Sequence, residues 1–279
     1  MMSVLDSVAH VDPLSVLSGF RQDFYACLDA RGDELFELVD ALLCTDGPVK
    51  TLVDLSLAPE HVRGHGALYG AVNSGVINLR RLRSALAALP LPRAADGRIV
   101  LAVDISNWLR PDAGTSADRL LCHTYARGRG AAQMIPGWPC SFVAALEPGR
   151  TSWTLPLDVV RLGPADDVTA VTAAQVREVF GRIRQAGHWR PGDPPVLVAF
   201  DAGYDLTRLA WLLRDVPVEV LGRLRADRVL YFPPPRTPGR AARHGAAFRL
   251  ASERSQPAAQ PRPRARSRRA ALSARADSA

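Results

Sequence analysis

The sequence predicts an α/β protein: a mixed sheet flanked by helices, preceded by a mostly helical N-terminal region and followed by a disordered basic tail. Three observations carry that prediction. Two short Val/Ile/Leu/Ala runs, RIVLAV at 98–103 and PVLVAF at 195–200, are bounded by Gly or Pro and read as strands covered on both faces. Strand-like and helix-like patterns alternate around the second run, whereas helical spacing dominates everything before residue 90. After residue 250 periodicity vanishes.

Composition sets the frame. The chain has 279 residues, 47% hydrophobic and 23% charged, enough for one large or two smaller domains with a real core. No apolar run approaches the roughly 20 residues of a membrane span, so no membrane partner is expected. The N-terminus lacks the basic-then-apolar order of a signal peptide, and a cytoplasmic protein is expected. Cys27, Cys44, Cys122 and Cys140 show no Cys-x-x-Cys spacing and read as reduced small hydrophobes. The net charge of +7 is unevenly placed. Seven arginines against Glu253 and Asp277 give residues 251–279 a net +5, which leaves +2 for residues 1–250. Any contact of the body with DNA therefore needs local patches.

Four segments are defined: a helical region at 1–90 that is a candidate DNA-binding region, a Pro/Gly linker at 91–97, an α/β domain at 98–250 and the tail at 251–279. In the first, Leu14, Leu17, Phe20, Phe24 and Leu28, then Leu35, Leu38, Leu42 and Leu43, lie at helical spacing, with Gly32 and Gly47-Pro48 as stops. A helix is expected over 59–72 from its Pro-Glu start. Asn78 is placed to cap another, with Leu79, Leu82, Leu86 and Leu89 on its core face and Arg80, Arg81 and Arg83 directed elsewhere. Those three arginines are candidate DNA contacts, against the alternative of a solvated helix face. His61 and His65 have ligand spacing, but no Glu follows His61 and two glycines weaken the helix, so they read as structural.

The α/β domain opens with the Asp104 strand, followed by strands near 121–126, 141–146 and 153–162, joined by Gly/Pro turns as in an antiparallel meander. A helix over 173–186 carries Val176, Val179, Phe180 and Ile183 on one face. The Asp201 strand, a helix over 206–213 and a strand over 218–224 complete the series. This is the element order of a ribonuclease H-like domain. Arg127 and Arg129 fall at a hairpin tip, RGRG, and are further candidate phosphate contacts. The five tryptophans, Trp108, Trp138, Trp153, Trp189 and Trp211, read as core or lid residues rather than base-stacking platforms.

The chemistry concentrates on Asp104 and Asp201. Each closes a buried-strand run, and if the strands are parallel neighbours the two carboxylates meet at one sheet edge. Two close carboxylates repel, and a divalent cation, Mg²⁺ or Mn²⁺, neutralises them while binding substrate phosphate oxygens. A lone Asp of this kind is usually a turn acid; two together point to metal. Asp205 and Asp112 read as a helix cap and a loop acid, and Glu147 as a surface residue.

The segments VLAVDISNWLRPDA, HTYARGRGAAQMIPGWPCSFVAALE and VLVAFDAGYDLTRLAWLL together resemble the DDE-type transposases of bacterial insertion sequences, over about residues 40–250. The resemblance implies a ribonuclease H-like core with three acids holding two Mg²⁺ ions, DNA as partner in the form of transposon ends and target, and a homo-oligomer when active. It maps the first two acids onto Asp104 and Asp201, as catalytic and metal-binding residues. It also implies phosphodiester hydrolysis at the element ends, then attack of the freed 3′-hydroxyl on target DNA.

The family's third acid, a Glu on a late helix, has no identified counterpart. Ala, Arg, Ser and Pro make up 24 of the last 29 residues, and disorder is expected there. Glu253 sits in that tail and Glu219 inside a strand. The expectation is therefore a chain cut short by a frameshift or early stop, and inactive for want of its Glu. The competing reading is a non-catalytic DNA-binding or oligomerising remnant. A phosphatase using a strand-end Asp would want an acid two residues after Asp104, where Ser106 stands.

Overall fold

Residues 1–223 form one compact unit and residues 224–279 another. The computed structural model describes residues 12–64, 66–124, 133–149, 151–223, 229–232, 234 and 245–249.

The first unit begins with helix α1 (Pro13–Tyr25), where the Asp12 carboxylate accepts from the amides of Leu14 and Ser15 at 3.2 Å and Pro13 occupies a position that lacks an amide partner anyway. Helix α2 (Gly32–Cys44) follows a short strand, β1 (Leu28–Ala30). Gly32 thus starts a helix rather than stopping one, and Asp33 and Glu34 complement its N-terminal dipole. A capping box between Thr51 and Asp54 opens α3 (Leu52–Ser56).

The helix expected over 59–72 is corrected: residues 59–64 turn, and α4 covers only Ala67–Ser74. Gly64 and Gly66 interrupt the pattern where helix propensity is weakest. Strand β2 (Val76–Ile77) pairs antiparallel with β1, a two-stranded element too short to leave a period in the sequence. Helix α5 (Leu79–Ala88) is capped as predicted, with the Asn78 side chain accepting from the Arg81 amide at 3.1 Å.

The main sheet contains β3 (Val100–Leu109), β4 (Leu120–Thr124), β5 (Gln133–Leu146), β6 (Thr154–Arg161), β7 (Val196–Phe200) and β8 (Val218–Gly222), with α6 (Val168–Gln185) and α7 (Leu206–Leu212) between the later strands. Its order is β4-β5-β3-β7-β8, with β6 also paired to β5. The β3–β7 and β7–β8 pairs are parallel and the rest antiparallel, the mixed ribonuclease H-like sheet that the element order predicts. The simple meander is corrected. β4 pairs with β5 rather than β3, because the 14-residue β5 runs past β6 and offers its far end to β4. On its other side Gly137 permits the close approach of β5 to β3: a Cβ would stand 2.4 Å from the Trp108 carbonyl oxygen.

One face of this sheet holds the core. The predicted stripe of α6, Val176, Val179, Phe180 and Ile183, packs on Leu101, Val103, Val143, Val198 and Phe200. Each buried side chain of this size contributes about 1.5–3 kcal/mol. A reciprocal pair fixes the helix on β5: the Ser141 hydroxyl donates to Gln175 Oε1 at 2.7 Å, and Gln175 Nε2 donates to the Ser141 carbonyl at 3.0 Å. Both residues are fully buried and both are satisfied.

In the second unit β9 (Val229–Tyr231) and β10 (Ala247–Arg249) pair antiparallel, with Phe232 against Phe248 at 5.8 Å between ring centroids.

Candidate active site

The parallel ladder between β3 and β7 runs from Val100 opposite Leu197 to Val103 opposite Phe200. The next residue on each side is an acid, so Asp104 and Asp201 leave the ladder in register on adjacent strands. Alternation assigns their side. Leu101, Val103, Val198 and Phe200 point into the core, so Ala102 with Asp104, and Ala199 with Asp201, belong to the opposite face. Both acids are exposed. One detail differs from the expected geometry: Asp104 does not end its strand, because β3 continues to Leu109 against β5 alone.

Their electrostatic setting separates them from several other acids of the α/β region. Asp158 is buried on β6 and meets Arg83 Nε at 2.7 Å and Arg182 Nη2 at 2.6 Å. Asp167 pairs with Arg208, Asp215 with Arg177, and Glu219 with Arg98. Among the described residues no Lys, Arg or His stands within ion-pair distance of Asp104 or Asp201. The Asp104 carboxylate accepts from the Ile105 amide at 2.9 Å.

Tyr204 reports the negative field from the turn after β7. Burial, then the charges of Asp104 and Asp201, drive its phenol well above the ordinary tyrosine value, and the hydroxyl stays protonated. That hydroxyl lies toward Ser141 without an aligned hydrogen bond. Sequence reasoning passed over Tyr204; its place three residues after a strand-end acid was the available signal.

A family model of DDE superfamily endonucleases matches residues 23–277. The chain belongs to that family. No curated protein matches it. The match takes in most of the segment after residue 250, including Glu253, all of which lies outside the described residues. This endonuclease family acts on DNA and generally uses divalent metal ions.

The donor set suits such an ion. Asp104 and Asp201 supply oxygen only, which favours Mg²⁺ or Mn²⁺ over softer metals, and they leave room for water and phosphate. Among the described residues no group of three or more His, Cys, Asp or Glu forms a metal cluster. Glu219 is no third member: it pairs across from Leu197, four residues back from Asp201 along β7, and Arg98 neutralises it. Asp205 caps α7 by accepting from the Arg208 amide at 3.1 Å, as expected.

The candidate DNA contacts divide. Arg80 and Arg81 are exposed on α5. Arg83 is corrected: its Nε reaches Asp158, and its Nη2 donates to the Val159 carbonyl at 3.0 Å, so it anchors α5 to β6 instead of facing solvent. It shares a helix side with buried Ala87, a side that the Leu-only reading of the face missed. Arg127 and Arg129 lie outside the described residues, as does His65. His61 is buried against Glu37, Nδ1 to Oε2 at 3.1 Å, a structural histidine as expected. Of the tryptophans, Trp189 is a core residue, donating to the Pro194 carbonyl. Trp108, Trp153 and Trp211 are 57%, 41% and 63% exposed and are not core residues. No described helix is long and apolar enough to cross a membrane.

Proposed function

We propose that this DDE superfamily endonuclease cleaves DNA phosphodiesters at Asp104 and Asp201, and that it is the transposase of an insertion sequence, joining the freed 3′-hydroxyl to target DNA. One observation carries the reading: two exposed acids, in register on adjacent parallel strands and on one face, with no cationic side chain within ion-pair distance among the described residues. Such a pair costs free energy through repulsion unless it has a cationic ligand.

When bound, Mg²⁺ or Mn²⁺ would supply positive charge to an attacking and a departing oxygen of the phosphodiester. Asp104, on the central strand β3, and Asp201, on the adjacent strand, would hold such an ion through their carboxylate oxygens. The rigid ladder beneath fixes their spacing, while the open face admits the DNA backbone. Tyr204, held neutral, adds no further charge beside them. Joining two element ends calls for two such sites, hence a homo-oligomer in the active state.

A second reading rests on the acid count. The described residues bring together two acids and not three, which favours a chain that binds DNA and partners without cutting.

Supercoiled plasmid incubated with the full chain and Mg²⁺ or Mn²⁺ separates the two. The transposase reading expects nicking that needs metal and falls at least about 100-fold in Asp104→Asn and in Asp201→Asn. Metal-independent DNA binding with no nicking by the unsubstituted chain would favour the non-cutting form.

A further inference from the structure

Trp108 lies on the same strand and the same face as Asp104. The β3–β5 register runs from Leu101 opposite Ala145 to Leu109 opposite Gly137 without a shift, so Asp104, Ser106 and Trp108 project to one side together with Phe142, Cys140 and Trp138. This is the side away from α6. Trp108 stands four residues from Asp104, about 13 Å along the strand, which is the rise of roughly four nucleotides in a duplex strand and fewer in an extended single strand.

The ring is held in place yet uncovered. Trp108 is 57% exposed. Its neighbour Trp138, 5.5 Å away between centroids, is anchored by an Nε1 hydrogen bond to the Ala117 carbonyl at 3.1 Å. The Arg110 guanidinium lies 5.1 Å from the Trp108 ring centroid. Arg161, opposite Cys140 on β6, adds a second exposed guanidinium to this face, paired with Asp118 at 3.7 Å. A large aromatic surface left in water is costly, and one flanked by arginines beside acids suited to phosphate-bound cations has the chemistry of a nucleotide site: a π-face for a base and guanidinium groups for phosphates.

We propose that Trp108, backed by Trp138 and flanked by Arg110, is a stacking platform for an unpaired base of the DNA strand whose backbone passes Asp104 and Asp201. The platform positions a strand that has left the duplex near the scissile bond, and it selects single-stranded character rather than sequence, because every base offers a π-face. The inference rests on the proposed DNA-cleaving reading for its direction along β3, but binding at the platform needs neither metal nor cleavage.

The test is fluorescence anisotropy of labelled (dT)12 and of a 12-base-pair duplex with the full chain, without divalent metal, at fixed salt. The unsubstituted chain is expected to bind (dT)12 with quenching of tryptophan emission. Trp108→Ala should weaken (dT)12 binding by at least about fivefold while duplex binding changes by less than about twofold; Trp108→Phe should recover most of the loss. Arg110→Gln should weaken (dT)12 binding less and make its salt dependence shallower, because one phosphate contact is lost. Near-UV circular dichroism identifies any variant that fails to fold, and the Phe and Gln variants then decide. Equal (dT)12 affinity in Trp108→Ala and the unsubstituted chain, or no (dT)12 binding at all, would overturn the platform. Metal-dependent nicking alongside that result would leave the nuclease reading standing; Trp108-dependent binding with no nicking would overturn the nuclease reading and leave the platform.

Discussion

Asp158 and the Asp104–Asp201 pair sit on one sheet in opposite circumstances. Asp158 faces the helices, is buried, and has an arginine from α5 and another from α6. Asp104 and Asp201 face away from α6, are exposed, and meet no cationic side chain among the described residues. The same functional group thus does two jobs. Where the fold itself supplies the counter-charge, the carboxylate ties elements together; where it leaves the charge open, the carboxylate is available to something from outside. A buried charge stripped of its partners is intolerable, whereas an exposed one is merely unfavourable.

The sharpest way to break the contrast is at Asp158. Replacing it by Ala strands Arg83 and Arg182 and should cost about 3–5 kcal/mol, lowering the melting temperature by about 6–20 °C. Urea denaturation measures the loss, and a change under about 1 kcal/mol would mean that the triad does not hold α5 and α6 to β6. Gln175→Leu should be milder, at about 1–3 kcal/mol, because it removes the two hydrogen bonds that the Gln175 amide makes to buried Ser141.

A smaller effect is expected at His188, near the end of α5. Burial and then the Arg93 charge lower its pKa, against the backbone carbonyls of Ala87, Ala88 and Leu89, which raise it. The fold therefore prefers the neutral ring. Its contribution to stability is complete above the unfolded value of 6.5 and is lost as pH falls from there through the folded value. His188→Gln should flatten that part of the stability curve between pH 7 and 5, and an unchanged slope would place the titration elsewhere.

How much of this was legible beforehand depends on the range of the interaction. The strands that carry Asp104 and Asp201, the α6 stripe and the Asn78 cap are written in adjacent residues and are legible there, although β3 runs on past Asp104 to Leu109. The β1–β2 pair, the double use of β5 and the turn over 59–64 depend on contacts made across the fold or on single glycines, and the local pattern does not carry them. Arg83 shows the limit best. Its helical position places it beside Ala87, yet only the distant Asp158 explains why a charge lies there. Likewise the strand pattern cannot tell a covered tryptophan from Trp108, whose exposure follows from which sheet face the helices leave open.

The exposed acids should behave as the reverse of Asp158. Without metal, Asp104→Asn and Asp201→Asn should change stability by less than about 0.5 kcal/mol. The decisive measurement is a Mn²⁺ titration of the full chain followed by electron paramagnetic resonance, with each single Asn variant beside it. The unsubstituted chain should remove free Mn²⁺ from solution, and either substitution alone should weaken that uptake at least about tenfold. Uptake that survives in both variants, or that is lost in only one of them, would contradict a cation shared by Asp104 and Asp201.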